Sequence, residues 1–247
     1  MSFRGDSKRQ AVLRDRCIKK SKTTQSEYIS RILFNLKPKM KLLDIGCGTA
    51  HIIQESAKEK RGPVYVGLDL SSHMLKTANE NTEGLRSVML VCGDGFELPF
   101  PDNVFNFVVT RLADYSPEES YRVLRKGGYF FEYSLGPEAD KEIKEFFSER
   151  IEKESFFFPR NMETWKQEVC EDVLKVGFKV LDIEDYKEED YYENEQELMD
   201  LIEMVPLVKD FDRTRDGKVI KEIVKKYQNE KGIRITWHYY ILKARKP

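Results

Sequence analysis

The chain is poor in the residues that build metal centres and disulfide scaffolds. Its 247 residues hold four cysteines and three histidines. The cysteines, Cys17, Cys47, Cys92 and Cys170, lie far apart and form no Cys-x-x-Cys pair. That spacing excludes a zinc finger or ribbon, so no metal site is expected, and four reduced thiols suit a cytoplasmic protein. No run of about 18 apolar residues occurs, so no membrane helix is expected. The first 30 residues lack an apolar stretch followed by a cleavage site, so no secretory leader is expected. Internal repeats and low-complexity tracts are missing too. What is there is 40% hydrophobic and 34% charged residues. Such a chain is soluble and globular, and long enough for one large core, or for one core with a lid.

A net charge of −1 hides a strong asymmetry. Residues 1–40 carry 11 Lys+Arg against 3 Asp+Glu, whereas residues 138–203 carry 9 against 22. A basic arm of this kind can meet RNA or another polyanion. Few aromatics accompany it for stacking on bases. That favours a solvated helix, or an arm packed on the acidic segment of its own chain.

Hydrophobic spacing organises the rest. Residues 8–36 read as a helix with Tyr28, Ile29, Ile32, Leu33 and Leu36 on one face, closed by Pro38. Strands are expected at about 41–45, 63–69, 87–92, 104–110 and 128–134, each followed by a helix or loop. That alternation implies an α/β, doubly wound, mostly parallel sheet. Gly136-Pro137 breaks the chain. Helical patterns follow at 138–153 and 161–176, separated by the aromatic run Phe156-Phe157-Phe158. Further strands are expected at 178–186 and 233–243. The unusually long segment 187–232 between them begins with Tyr191-Tyr192 and reads as a helical cap. The domain reading is an arm at 1–39 and a main domain at 40–247, with cap insertions at about 138–176 and 187–232.

The most informative stretch is Leu42-Leu43-Asp44-Ile45-Gly46-Cys47-Gly48-Thr49-Ala50. A buried strand meets an acid, then two glycines lead into a helix. Glycine permits a tight turn and close approach of a ligand, and the helix start offers free N–H groups. A dinucleotide fingerprint would need a third glycine where His51 stands, so the dehydrogenase pattern is not met. The next strand ends in Asp69, whose carboxylate can accept from both hydroxyls of a ribose. Ser71 or Ser72 then caps a helix with Met74, Leu75 and Ala78 on one face.

Three segments carry a family likeness. The glycine run has the acidic-x-Gly-x-Gly form of the first motif of class I S-adenosylmethionine-dependent methyltransferases. Val91-Cys92-Gly93-Asp94-Gly95-Phe96-Glu97-Leu98-Pro99-Phe100, followed by Val104-Phe105-Asn106-Phe107-Val108, closely resembles that family's third-strand stretch. Tyr121-Arg122-Val123-Leu124-Arg125-Lys126-Gly127-Gly128 resembles its turn into strand five. The resemblance covers about residues 40–135, and the Leu-Pro-Phe stretch is most like the quinone-biosynthesis branch. It implies a Rossmann-like seven-stranded sheet of order 3-2-1-4-5-7-6 with strand 7 antiparallel. It also implies S-adenosylmethionine as cofactor and S-adenosylhomocysteine as product. The cofactor-binding set it suggests is Asp44, Gly46, Cys47, Gly48, Asp69, Leu70, Met74, Asp94, Gly95, Phe96 and Arg111. Within it, Asp44 lies near the methionine part, Asp69 at the ribose, and Asp94, Gly95 and Phe96 at the adenine. The chain departs from the family pattern at Ala50, Gly95, Asn106 and Lys126, where glycine, alanine, aspartate and proline are usual.

The sulfonium methyl is already electrophilic, so such a site needs alignment and dryness more than a strong base. Substrates of open α/β sheets bind beyond the carboxyl ends of the strands. That places Thr110, Arg111, Leu112, Asp114, Tyr115, Tyr133 and Ser134 near the reaction. Arg111 could orient an anionic substrate, and Asp114 or Tyr115 could take a proton. Tyr28 could close over the cofactor or sit in the core. His51 starts the helix after the glycine loop and could cap it or line the cofactor. His73 lies in the first turn of the next helix, and His238, among bulky strand neighbours, reads as packed. Phe156–Phe158, Trp165 and Tyr191–Tyr192 are either core or an aromatic substrate wall. The expected function is methyl transfer to a small molecule. Transfer to RNA through the basic arm, or cofactor binding without turnover, are the alternatives.

Overall fold

A computed structural model describes residues 23–151, 161–205 and 207–247. The basic stretch up to residue 22, Cys17 and Phe156–Phe158 lie outside the described residues.

The first helix, α1 (Thr23–Asn35), buries Tyr28, Ile29, Ile32 and Leu33, and Leu36 just beyond it. This i, i+3, i+4 row is the apolar stripe that holds the helix to the sheet. Each fully buried side chain of this size contributes roughly 1.5–3 kcal/mol. The chain then alternates strand and helix: β1 (Lys41–Ile45), α2 (His51–Glu59), β2 (Val64–Asp69), α3 (Ser72–Asn81), β3 (Val88–Cys92), β4 (Phe105–Arg111), α4 (Pro117–Val123) and β5 (Leu124–Leu135). After β5 come α5 (Lys141–Phe146), α6 (Trp165–Lys175), β6 (Lys179–Tyr192), α7 (Glu195–Met204), α8 (Gly217–Tyr227), β7 (Gln228–Asn229) and β8 (Gly232–Arg245).

The sheet order is β3-β2-β1-β4-β5-β8-β6, with β8 antiparallel to both neighbours. The expected strand seven is β8, and the order matches. The sheet has eight strands rather than seven, because the two-residue β7 folds back on the start of β8. Asn106 still serves β1, since its Oδ1 accepts from the Lys41 N–H at 3.0 Å.

Two expected boundaries are corrected. β6 was expected to end at 186 but runs to Tyr192, so the helical insertion starts after 192 rather than at 187. Residues 187–192 pair with Ile233–His238 of β8. As the sheet's edge strand, β6 tolerates the charges of Glu188, Glu189 and Asp190. The helix expected at 138–153 is shorter, ending at Phe146 with a 3₁₀ turn over Ser148–Arg150.

Side chains of β8 alternate between the two faces of the sheet. Tyr239 and Ile241 join the core under α1 and α2, while Tyr240, Leu242 and Ala244 join the core under α6. A third apolar cluster gathers Ile143, Phe147, Leu198, Ile202, Ile220 and Ile223 onto Ile233 and Ile235. Those two β8 residues lie past Tyr239, the last β8 partner of β5. The helical insertions are therefore anchored at the end of the sheet where β4 and β5 finish. Among the described residues no helix is long and apolar enough to cross a membrane.

Candidate active site

The glycine loop is a frame of backbone contacts. Beyond Ile45 the chain turns through Gly46 and Gly48 at φ 68° and 54°, a conformation that a side chain makes costly. A Cβ on Gly46 would sit 2.2 Å from Ala113 Cβ, so the loops after β1 and β4 touch there. A Cβ on Gly48 would meet nothing within 4 Å, which leaves that backbone open to a ligand. Ala50, where the resembled family favours glycine, keeps the left-handed conformation at φ 60°. The Gly48 N–H donates to Asp69 Oδ2 at 2.8 Å, and the Ser71 N–H donates to Asp69 Oδ1 at 2.8 Å. Ser71 caps α3 by accepting from the Met74 N–H at 3.1 Å. The tips of β1 and β2 are thus tied together by the carboxylate expected at the ribose.

Beside this frame lie two charged groups with little satisfaction from the protein. Asp44 is 2% exposed, and burial pushes its carboxyl up to about 8, with Arg111 opposing the rise and Asp69 adding to it. Arg111 ends β4, the strand next to β1. Its Nε is buried without a hydrogen-bond partner. Its guanidinium lies over the Tyr133 ring, 5.1 Å from the centroid. Thr49 Oγ1 in the glycine loop is likewise buried and unpartnered. Buried polar atoms in this condition cost stability unless a ligand meets them.

The third strand tip supplies the apolar side. Asp94 Oδ1 accepts from the Phe96 N–H at 2.9 Å, closing a turn after β3. A Cβ on Gly95 would come within 2.9 Å of the Asp114 carbonyl, which accounts for glycine where alanine is usual. Leu70, Phe96 and Leu112 follow β2, β3 and β4, and are 48%, 59% and 40% exposed. Large apolar groups in water at three successive strand tips are the kind of surface a flat ligand covers.

Some expected site residues point elsewhere. Met74 is 2% exposed, so its side chain is buried rather than open at the loop surface. The Cys47 thiol is buried against β2, close to Gly67, and only its backbone belongs to the loop. Tyr115 donates to Glu132 at 2.8 Å, and burial beside that carboxyl raises its pKa well above the ordinary value. It is unsuited to taking a proton. Asp114 is exposed at the rim. Tyr28 is a core residue, fully buried, with its hydroxyl donating to the Thr110 carbonyl at 2.8 Å. His73 is exposed and His51 half-buried. His238 is packed: its Nδ1 accepts from the Glu138 N–H at 3.1 Å, so Nε2 carries the proton and faces Asp185 at 3.2 Å.

The expected aromatic wall is not assembled among the described residues. Trp165 packs on His238 and Tyr240, on the face of β8 away from Tyr133. Tyr191 and Tyr192 end the edge strand β6. The aromatics at the site are instead Tyr133, Tyr239 and Trp237. Tyr133 and Tyr239 stack at 4.8 Å, and Trp237 Nε1 donates to the Tyr133 hydroxyl at 3.2 Å. Strand alternation alone could have put these three on one face. Their contact with Arg111 depends on cross-strand register, which the sequence does not carry.

Comparison with known proteins bears on this geometry. Residues 43–131, which span β1 to β5, match the family described as "Methyltransferase domain". That match covers less than half of the chain. The chain is similar to the demethylmenaquinone methyltransferase of Staphylococcus carnosus, at 39% identity over 102 residues. That alignment takes in 38% of this chain and 42% of the relative, so the chain spans about two fifths of the curated relatives it matches. In fold, the chain resembles a provisionally assigned methyltransferase from Bacillus halodurans C-125, with TM-score 0.65, 21% identity, and 91% and 99% of the two chains covered. It also resembles the Haemonchus contortus phosphoethanolamine N-methyltransferase 2 solved with S-adenosyl-L-methionine. There the TM-score is 0.55 and the identity 22%, with 90% of this chain and 52% of the other covered.

Proposed function

We propose that this protein transfers a methyl group from S-adenosylmethionine to a small-molecule acceptor. The observation that carries the proposal is the meeting, at one end of the sheet, of the glycine loop, Asp69, and the pair Asp44 and Arg111. The residues suit the cofactor part by part. Asp69 keeps lone pairs for two ribose hydroxyls beside the amides it already holds. Asp44 and Arg111 match the ammonium and carboxylate of the methionine end. The exposed Leu70, Phe96 and Leu112 suit the flat adenine and the path to it.

S-adenosylmethionine would supply an activated methyl group. The chain's part is to hold the sulfonium end still and exclude water. Arg111 is better spent on the cofactor carboxylate than on a substrate anion, because Asp44 is the acid that shifts with it. Asp114 stands at the rim as a proton acceptor for an acceptor hydroxyl. The helices α5, α7 and α8, clustered beyond β5, suit a substrate enclosed from above. The names of the curated relatives favour a quinone-pathway acceptor. The free thiols Cys47, Cys92 and Cys170 suit a reducing compartment, and we place the reaction in the cytoplasm.

The test is incubation with methyl-labelled S-adenosylmethionine and cell extract separated into RNA and small-molecule fractions. Label is expected in the small-molecule fraction. Label confined to RNA would overturn the acceptor class, and no label in any fraction would overturn transfer.

A further inference from the structure

Arg111 makes an uncommon set of contacts for a buried-edge arginine. Its Nε is buried and unpartnered, and its guanidinium carbon lies over the face of Tyr133, 5.1 Å from the centroid. The Tyr133 ring is itself held by three residues from two other elements. Tyr28 of α1 meets it edge-on at 5.5 Å and 63°. Tyr239 of β8 stacks on it at 4.8 Å and 21°. Trp237 of β8 donates its indole N–H to the Tyr133 hydroxyl at 3.2 Å. Tyr28 also pins the backbone beside Arg111, because its hydroxyl donates to the carbonyl of Thr110.

Resting on the reading of Asp44 and Arg111 given above, we propose that Tyr133, braced by Trp237 and Tyr28, is the positioning residue that aims Arg111 at the cofactor carboxylate. A guanidinium stacked on a ring keeps its edge N–H groups in one plane, which two carboxylate oxygens can meet together. Without the ring, a long flexible side chain next to a buried acid would have other orientations to choose from, Asp44 included. The shell includes none of the residues assigned above to the adenosine part, so its effect is expected at the amino-acid end.

That confinement gives the test. S-adenosylhomocysteine carries the amino-acid end, whereas 5′-methylthioadenosine lacks it and keeps the adenosine. Both are titrated by calorimetry into the full chain and into Tyr133→Leu and Tyr133→Phe. Tyr133→Leu is expected to weaken S-adenosylhomocysteine roughly five- to thirtyfold, the size of a desolvated cation–π contact, and to leave 5′-methylthioadenosine unchanged. Tyr133→Phe keeps the ring and is expected to stay within about threefold of the parent. Should Tyr133→Leu fail to fold, Trp237→Phe takes its place, with a loss of about threefold confined to the same ligand. Equal weakening of both ligands would mean that Tyr133 only supports the fold, and would overturn the inference. Unchanged binding of both in Tyr133→Leu would overturn it too. If the parent chain binds neither ligand, the cofactor reading itself fails, a result distinct from either of these.

Discussion

The tips of β1 and β2 and the tip of β4 lie side by side, yet their polar groups are treated oppositely. At β1–β2 the protein satisfies the Asp69 carboxylate itself, with backbone N–H groups from Gly48 and Ser71, and Ser71 in turn caps α3. At β4, Arg111 keeps a buried Nε without a partner, and burial pushes the carboxyl of Asp44 on neighbouring β1 up to about 8. The first region is a frame, whose contacts stabilise the apoprotein. The second we read as a receptor, its contacts to be completed by charge brought in from outside. Damage to the frame should cost stability as well as binding. Damage to the receptor should cost binding and leave stability unchanged or improved.

Gly46→Ala attacks the frame hardest. The added methyl would lie 2.2 Å from Ala113 Cβ at a residue with φ 68°. A loss of about 3 kcal/mol in urea unfolding is expected, from overpacking and left-handed strain together. Wild-type stability in this variant would mean that the loops after β1 and β4 are free to separate. Asp69→Ala comes next. It removes a charged acceptor from two ribose hydroxyls and from two backbone amides, and should weaken S-adenosylhomocysteine by about 1.5–3 kcal/mol in calorimetry, with a measurable fall in melting temperature. Unchanged affinity would remove Asp69 from the ribose.

Arg111→Ala is the matching blow to the receptor. It should weaken S-adenosylhomocysteine by about 1–2 kcal/mol and leave the melting temperature level or higher. A clear drop in melting temperature would make Arg111 structural and erase the contrast between the two regions. Asp44 provides a subtler probe. Its carboxyl is raised to about 8, so between the ordinary carboxylate range and that value the native chain holds a proton that the unfolded chain has lost. Stability contributed by this group therefore falls as pH rises through that window. An ammonium bound beside it favours the carboxylate, so ligand binding near pH ~7 should release a proton. Calorimetry in buffers of different ionisation enthalpy reads that release, which Asp44→Asn should abolish. Ala50→Gly has the smallest effect, a gain of about 0.5–1 kcal/mol from relief of the left-handed backbone at φ 60°. No gain would show that the buried methyl of Ala50 offsets its strain.

The same contrast decides how much could be read in the sequence. The frame is local: Leu42–Ile45 is apolar, two glycines follow, and Ser71 opens a helix, so strand, turn and cap are all written within a few residues. The sheet order followed from the family likeness of residues 40–135. Met74 shares a helix face with Leu75 and Ala78, and its side chain is buried there. Strand β6 was read too short because Lys187 to Asp190 look like a solvated loop until β8 pairs with them. The receptor was half legible. Asp44 and Arg111 could be named, but the tyrosine under Arg111 comes from β5 and its brace from α1 and β8. Contacts that cross 80 to 100 residues of chain leave no spacing to find.

A crystal structure of the full chain with S-adenosylhomocysteine tests the central claim most directly. The account predicts ribose hydroxyls on Asp69, the ammonium beside Asp44, and the carboxylate on the guanidinium of Arg111 above Tyr133. An amino-acid end turned away from Arg111, or a ligand bound anywhere but at the tips of β1, β2 and β4, would contradict it.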